Sequence, residues 1–284
     1  METILIATDF SPEASSAFAH GVAIARQTGA PVLLVHVLDP DERDHYDAAH
    51  EQLAQIQARA ADSGVHADIR IVIGHADTAL PDTARDAGAR LIAVGTHGRT
   101  GIRRFLMGSV AERVVRSAGV DVLVARGAAP AGGYRRVLVP IDFSPLSEAA
   151  LDRAALLVAG DGAIDLFHAW QLPGAASGYW GPAADGGELL APLRDDLRKA
   201  IEAQAAAWIE RHRELAGRLT FSHTEDVPTH AIRKRLDDHD YDLVVMGSHG
   251  RRGVRRWVLG SVAELTVRYA PVSVYVVHAA DTGQ

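Results

Sequence analysis

Two glycine-rich stretches carry the strongest chemical signal in this 284-residue sequence. One runs Gly95-x2-Gly98-x9-Gly108-Ser109 and the other Gly247-x2-Gly250-x9-Gly260-Ser261, and between Gly95–Glu112 and Gly247–Glu264, 12 of 18 positions are identical. Glycine lets the backbone take positive φ and lets N–H groups approach a ligand with no Cβ in the way. Where such a run meets a helix start, unpaired N–H groups and the helix dipole favour an anion, so a phosphate chain fits beside the Ser109 or Ser261 hydroxyl. Ser109-x-x-Glu112 and Ser261-x-x-Glu264 equally fit capping boxes, in which the serine serves the helix alone. Arg99, Arg103 and Arg104, with their partners Arg251, Arg255 and Arg256, fall in the spacers, and one or two per copy, Arg99 and Arg251 first among them, are expected to reach a phosphate.

A carboxylate accompanies each glycine run. ILIATDFSPEA, with Asp9, returns as VLVPIDFSPLS, with Asp142. Asp9 and Asp142 suit the sugar or base end of a nucleotide, where they accept from an amino or hydroxyl group, or a metal that bridges the phosphates; either could also cap a turn. Neither G-x-x-x-x-G-K-[ST] nor G-x-G-x-x-G occurs, and Lys199 and Lys234 are the only lysines, so phosphate binding must rest on backbone, hydroxyl and arginine. His97 and His249 sit inside the glycine motif, and histidine is the residue type most used for acid–base work at neutral pH, yet no oriented partner is evident, and a packing role is favoured. No nucleophile elbow or telling acid and base pair appears, so efficient catalysis is not expected and any hydrolysis would be slow.

These residues need elements to hold them. Short Val/Ile/Leu runs alternate with amphipathic segments, predicting strands at Thr3–Ala7, Val32–Val37, Ile69–Ile73, Leu91–Gly95 and Val120–Ala125, and helices at Pro12–Thr28, Ala48–Ser63, Thr78–Ala87 and Val110–Ala118. The series then repeats. That pattern predicts a parallel sheet covered on both faces, a doubly wound α/β domain, twice over. Ser11-Pro12 and Ser144-Pro145 read as N-caps followed by a first-turn proline. The copies are offset by 133 residues at the aspartates and by 152 at the glycine motif, which puts an insertion of about 20 residues in the second copy, near 171–192. Residues 129–133, rich in Ala, Gly and Pro, read as a linker between a first domain at 1–128 and a second at 134–284. Ligands in such folds bind beyond the carboxyl ends of the strands, where strand order reverses; both motifs follow strand ends, and one crevice receives both if strands one and four are neighbours.

Composition narrows the field. There is no cysteine, which excludes a disulfide scaffold, a thiol nucleophile and zinc-thiolate or cysteine-ligated cluster chemistry. A net charge of −7 disfavours wrapping of nucleic acid, no apolar run is long enough to span a bilayer, and the N-terminus shows no secretion signal, so a cytoplasmic protein without membrane or nucleic-acid partners is expected. The acidic and histidine-bearing run from Asp39 to Glu51, which includes Glu42, His45 and His50, reads as an exposed flexible loop rather than a metal site. Tyr179 and Trp180 in the insertion could close over a ligand or join an interface.

The pairing of a strand-one Asp with G-x2-G-x9-G-[ST], in the ordered set V-P-I-D-F-S, L-F-H, V-V-M-G-S-H-G and L-G-S-V-A-E, resembles the ATP-binding branch of the universal stress protein family in tandem form. The resemblance implies strand order 3-2-1-4-5, as in adenine nucleotide alpha hydrolase-like folds, with the two domains paired through their last strands. It makes Asp9 and Asp142, with the backbone of Val37 and Ala169, neighbours of adenine and ribose. It places Gly95, His97, Gly98, Gly108, Ser109 and Val110 around ribose and phosphates, and likewise Gly247, His249, Gly250, Gly260, Ser261 and Val262. The first copy departs from the pattern with Ala7 where the second has the more family-like Pro140, and the second copy reads Glu225-Asp226 where the first has a Gly74 turn. ATP, with ADP or AMP as alternatives and Mg2+ accompanying the triphosphate, is the implied ligand. A regulatory protein partner and a homodimer of tandem chains are the implied associations. The rivals are an adenylating enzyme of the related α/β group, disfavoured because Ile6-Ala7-Thr8-Asp9 is not its S-G-G-x-D-S loop, and a scaffold with lapsed sites.

Overall fold

The computed structural model describes residues 2–96, 107–172, 190–250 and 259–279. In the first copy β1 (Thr3–Ala7), β2 (Val32–Leu38), β3 (Ala67–Ile73), β4 (Ala89–Gly95) and β5 (Asp121–Ala125) alternate with α1 (Pro12–Thr28), α2 (Tyr46–Asp62), α3 (Ala76–Asp86) and α4 (Ser109–Ser117). The second copy supplies β6 (Tyr134–Pro140), α5 (Pro145–Leu157), β7 (Val158–Trp170), α6 (Ala191–Arg211), β8 (Leu219–Glu225), α7 (Pro228–Asp238), β9 (Leu243–Gly247), α8 (Ser261–Tyr269) and β10 (Ser273–Val277). Every predicted first-copy strand and helix is present, with ends shifted by one or two residues.

The strands form one ten-stranded sheet in the order β3-β2-β1-β4-β5-β10-β9-β6-β7-β8. Each half is 3-2-1-4-5, parallel within itself, and the halves meet through their last strands, antiparallel, with Leu123 opposite Tyr275. Alternate residues of each strand feed opposite faces. Ile4 and Ile6 join a core with Phe18 and Leu53 on one side, while Leu5 joins Leu80 and Val114 on the other. Both cores run through both halves: Trp208 and Leu151 belong to the first, Ile232 and Val267 to the second. Burial on both faces is why the strands read as continuous apolar runs and why polar groups concentrate at strand ends.

The helices begin where local chemistry demands. Ser11 Oγ accepts from Ala14 N at 3.2 Å and Ser144 Oγ from Ser147 N at 3.3 Å, each with proline in the first turn, as expected.

Across the seam, equivalent residues reach from each half to the last helix of the other. Arg126 Nη2 donates to Val267 O at 2.6 Å, and His278, 152 positions on, donates from Nε2 to Val115 O at 2.8 Å. Each arm's backbone N–H finds a side-chain acceptor on the opposite strand: Ser273 Oγ for Arg126 at 2.9 Å, Asp121 Oδ1 for His278 at 3.1 Å. Asp121 also takes Arg153 Nε at 2.8 Å and the Tyr275 hydroxyl at 2.9 Å. On the other side His20 Nε2 lies 3.2 Å from Arg126 O, which can only accept, so Nε2 carries the proton and Nδ1 accepts from the Tyr134 hydroxyl at 2.7 Å. Between α4 and α8 two Glu–Arg pairs close into a ring: Arg116 meets Glu264 at 2.8 Å and its own helix's Glu112 at 3.4 Å, while Arg268 meets Glu264 at 3.3 Å and Glu112 at 3.6 Å.

Candidate functional site

The carboxyl ends of β1, β2 and β4 open into a cavity of about 380 Å³ in the first copy. Seven of the residues singled out in that copy line it: Ala7, Asp9 and Val37 on the β1–β2 side, Gly95 at the end of β4, and Gly108, Ser109 and Val110 at the start of α4. Val35 and Val94 with Ala76 and Leu80 of α3 supply apolar walls. The cavity therefore runs from a carboxylate to a helix N-terminus with an apolar slot between, the arrangement suited to a flat base at one end and an anion at the other. Among the described lining residues there is no Lys or Arg. His97, Gly98, Arg99 and Arg251 lie outside the described residues, as do Tyr179 and Trp180.

The aspartates are built into identical turns. Asp9 Oδ1 accepts from Ser11 N at 3.1 Å and Asp142 Oδ1 from Ser144 N at 3.0 Å, so the turn-capping role is real in both copies. The residue after each, Phe10 at φ 66° and Phe143 at φ 61°, sits in the left-handed region, which costs a non-glycine residue energy that its surroundings must offset. A histidine from the next strand does so. His36 packs on Phe10 with ring centroids 4.4 Å apart, and His168 on Phe143 at 4.9 Å. Each histidine donates from Nδ1 to the carbonyl just before the aspartate, Thr8 O or Ile141 O, both at 2.7 Å.

In the second copy, Pro140 ends β6 in register with Phe167 of β7, and Asp142 follows two residues later. The missing Cβ of Gly250 faces Asp142 Oδ2, and that of Gly260 would come 3.3 Å from His249 Cα. His249 Nδ1 lies 3.2 Å from Ser248 Oγ. The fold thus brings Asp142, His249, Gly250 and Gly260 together, with Ser261 and Val262 opening α8, Gly247 ending β9, and Ala169 in β7. A further difference from the first copy is Ser147, whose Oγ donates to Asp142 Oδ1 at 2.5 Å where the first copy has Ala14.

Universal stress proteins are described by a family profile that matches residues 1–126 and again 133–278. The chain belongs to this family. A universal stress protein of Mycobacterium bovis is 27% identical over 301 residues, covering 96% of each chain, and one of Staphylococcus epidermidis named for the same family is 37% identical over 139 residues, 44% of this chain and 84% of its own. A universal stress protein crystal structure from Archaeoglobus fulgidus superposes with a TM-score of 0.71 at 22% identity, covering 97% of this chain and 98% of that one, which shows the shared fold. The strand order and the seam that the family resemblance implied are the ones observed.

Three sequence expectations are corrected within this universal stress protein framework. Ser109 and Ser261 are not N-caps. Gly108 and Gly260 hold that position, each fixed by donating its N–H to Thr96 O or Ser248 O, at 2.7 and 2.8 Å, and the serines become exposed first helical residues with no capping bond. Glu112 and Glu264 turn instead to the arginine ring. Next, Gly95, Gly108, Gly247, Gly250 and Gly260 are not among the positive-φ residues; what requires glycine at Gly95 is close approach, since a Cβ there would lie 2.7 Å from Glu13 O. Finally, the acidic run is not a plain loop. Pro40–His45 forms a 3-10 helix and Glu42 lines the cavity, as does Asp39. Sequence reasoning missed Glu42 because its neighbours are equally acidic; the signal was Asp39-Pro40, a turn start that rolls the third residue back toward the sheet.

Among the described residues no three His, Asp or Glu side chains converge to hold a metal, and no helix is long and apolar enough to cross a membrane.

Proposed function

We propose that this universal stress protein binds an adenine nucleotide in each half, ATP with ADP or AMP as alternatives, and that occupancy regulates its contacts with a protein partner. The observation that carries this reading is the first-copy cavity, which joins Asp9 to the α4 N-terminus through an apolar slot. Its volume lies within the range of small-molecule sites, about 300–1,000 Å³. Adenine fits between Val35, Val37 and Leu80, and the phosphates fit at Ser109 and Val110, where α4 presents N–H groups that have no partner within the helix. The matching elements of the second copy, Asp142, Gly250, Gly260 and Ser261, support a second site. Mg2+ would accompany the triphosphate, held by its phosphate oxygens, since the described protein groups do not make a cage by themselves. Adenine nucleotide and metal together supply a charge that can be lost or gained at the helix N-terminus; the chain's own groups position it. A cytoplasmic protein that forms a homodimer of tandem chains, with slow hydrolysis at most, completes the reading.

Denaturing the purified protein and quantifying released ATP, ADP and AMP by ion-exchange chromatography tests it, before and after incubation with ATP and Mg2+. Retained nucleotide is expected, and its loss on replacing Gly108 and Gly260 together by valine, with the circular dichroism spectrum unchanged. Full retention in that double variant overturns the assignment. Rapid conversion of ATP to AMP moves an adenylating enzyme to the front.

A further inference from the structure

Independently of the nucleotide sites, we infer that β3, at the outer edge of the first half, pairs antiparallel with β3 of a second copy of this chain, which gives the homodimer proposed above a definite surface. β3 ends the ten-stranded order, and among the described strands none lies beyond it. In a parallel ladder, alternate residues turn their N–H and C=O to the same neighbour. Val32 N donates to His66 O at 3.1 Å and Gly74 N to Leu38 O at 2.9 Å, so the even-numbered residues of β3 serve β2. The odd-numbered ones, Ala67, Ile69, Ile71 and Ile73, turn their backbone groups outward. Gln57 Nε2 donates to one of these, Ala67 O, at 2.6 Å, and that oxygen keeps a second lone pair. The strand, Ala-Asp-Ile-Arg-Ile-Val-Ile, carries neither the proline nor the lysine that commonly blunts an edge, and Ile69, Ile71, Val72 and Ile73 are β-branched.

Charge sets the register. Asp68 and Arg70 are both exposed and, two residues apart, share one face of β3. With the two-fold axis at Ile69, Asp68 of each chain stands opposite the partner's Arg70, twice over, in the pairs that bring side chains closest. Ile69 then meets the partner's Ile69, and Ala67 the partner's Ile71, through backbone hydrogen bonds. An axis one residue earlier or later sets Asp68 or Arg70 against its own copy, and an axis at Ile71 leaves Arg70 opposite the partner's Val72. The favoured register also covers Ile69 and Ile71, half-buried at the margin of the core that holds Phe18 and Leu53, with their copies. The far edge of the sheet is different. At the matching places in β8, 152 positions on, Thr220 and Ser222 replace Asp68 and Arg70, and both hydroxyls are directed to Asp165 Oδ1 of their own half at 3.4 Å. Pairing β3 with β8 would add chains without end and has no charge match to fix it, whereas β3 with itself closes after two.

Sedimentation equilibrium of the full chain over a range of concentrations tests this in wild type, Asp68→Arg, Arg70→Asp and the double variant Asp68→Arg/Arg70→Asp, with circular dichroism to check folding. The wild type is expected to be a dimer that loosens in high salt. Each single reversal puts two pairs of like charges face to face and should raise the dimer Kd about tenfold or more. The double reversal restores opposite charges in the same register and should bring the Kd back near the wild-type value. A Kd unmoved by the single reversals, or not recovered in the double variant, overturns β3 as the surface and leaves the homodimer to another one. Mass that grows past the dimer with concentration overturns the closed pair. A wild type that stays monomeric overturns this inference and the homodimer with it, while nucleotide release on denaturation is a separate measurement that none of these outcomes decides.

Discussion

The two ends of the seam do the same structural job with different chemistry. An N–H arriving from the other half meets Asp121 at one end and Ser273 at the other, positions 152 residues apart in the repeat. The residue behind each acceptor changes with it. Arg153 backs the aspartate, and His20, its counterpart at an offset of 133, lies 3.3 Å from the serine. The arms differ in the same sense, Arg126 across from His278. What the backbone demands is an acceptor for the crossing N–H; whether that acceptor is charged is optional, provided the charge behind it matches. A buried carboxylate needs a cation and several donors to be tolerable, and Asp121 has Arg153, Tyr275 and His278 N. A serine needs none of these.

That contrast can be broken most easily at Asp121. Its replacement by Ala leaves Arg153 and the Tyr275 hydroxyl without their partner in the seam, and a loss of about 3–5 kcal/mol in unfolding free energy is expected by urea titration. Ser273→Ala, the equivalent truncation, should cost about 1 kcal/mol, the net worth of a neutral hydrogen bond. Equal losses at both positions would mean that the charge contributes nothing.

Acid should act on the histidines. Burial lowers the pKa of His20 below 6.5, against the raising effects of the Arg126 carbonyl and the Asp242 charge. Burial does the same to His278, against Val115 O and Asp121. Because the native state resists protonation that the unfolded chain accepts, stability is full above 6.5 and falls as pH drops from there through the lowered native values, below which it levels off. The slope cannot exceed about 1.4 kcal/mol per pH unit for each histidine. Melting temperatures from about pH 7.5 to 5 check this, and His278→Arg, which makes the two arms alike, should remove its share of the slope while His20 keeps its own. An unchanged slope in that variant would exclude His278 from the acid response.

The smallest effect is expected at the ring between α4 and α8. Its side chains are about one-third exposed, so Glu112→Gln or Glu264→Gln should each cost about 0.5 kcal/mol, nearly the same in the two halves, and the cost should fade in high salt. A clear inequality between them would extend the asymmetry of the seam to the helices.

Much of this architecture was legible beforehand. Doubly buried parallel strands leave unbroken Val/Ile/Leu runs, and the duplicated motifs place each run in a repeat, so β1 to β5 could be located within a residue or two. The site was legible as far as its backbone is concerned: Asp9 and Gly108-Ser109 do share one cavity. What escaped depends on partners distant in sequence or on competition between similar groups. Ser109 against Gly108 as the cap is settled by the Gly108 N–H bond to Thr96 O, which no local pattern reveals. Phe10 in the left-handed region is tolerated because His36 packs on it from the next strand. Glu42 is one carboxylate among several, and only the 3-10 helix at Pro40–His45 turns it inward. The seam network joins residues more than a hundred positions apart, from His20 to Ser273.

The antiparallel pairing of β5 with β10 has one more consequence. Two separate identical chains meeting through such a strand pair would share a symmetry axis, and any substitution beside it would appear twice, facing itself or its own copy. An aspartate at position 121 would then confront a second aspartate's surroundings with no serine to relieve them. Running both halves in one chain removes that requirement, so each side of the axis can change alone, and a neutral lining can come to lie opposite a charged one.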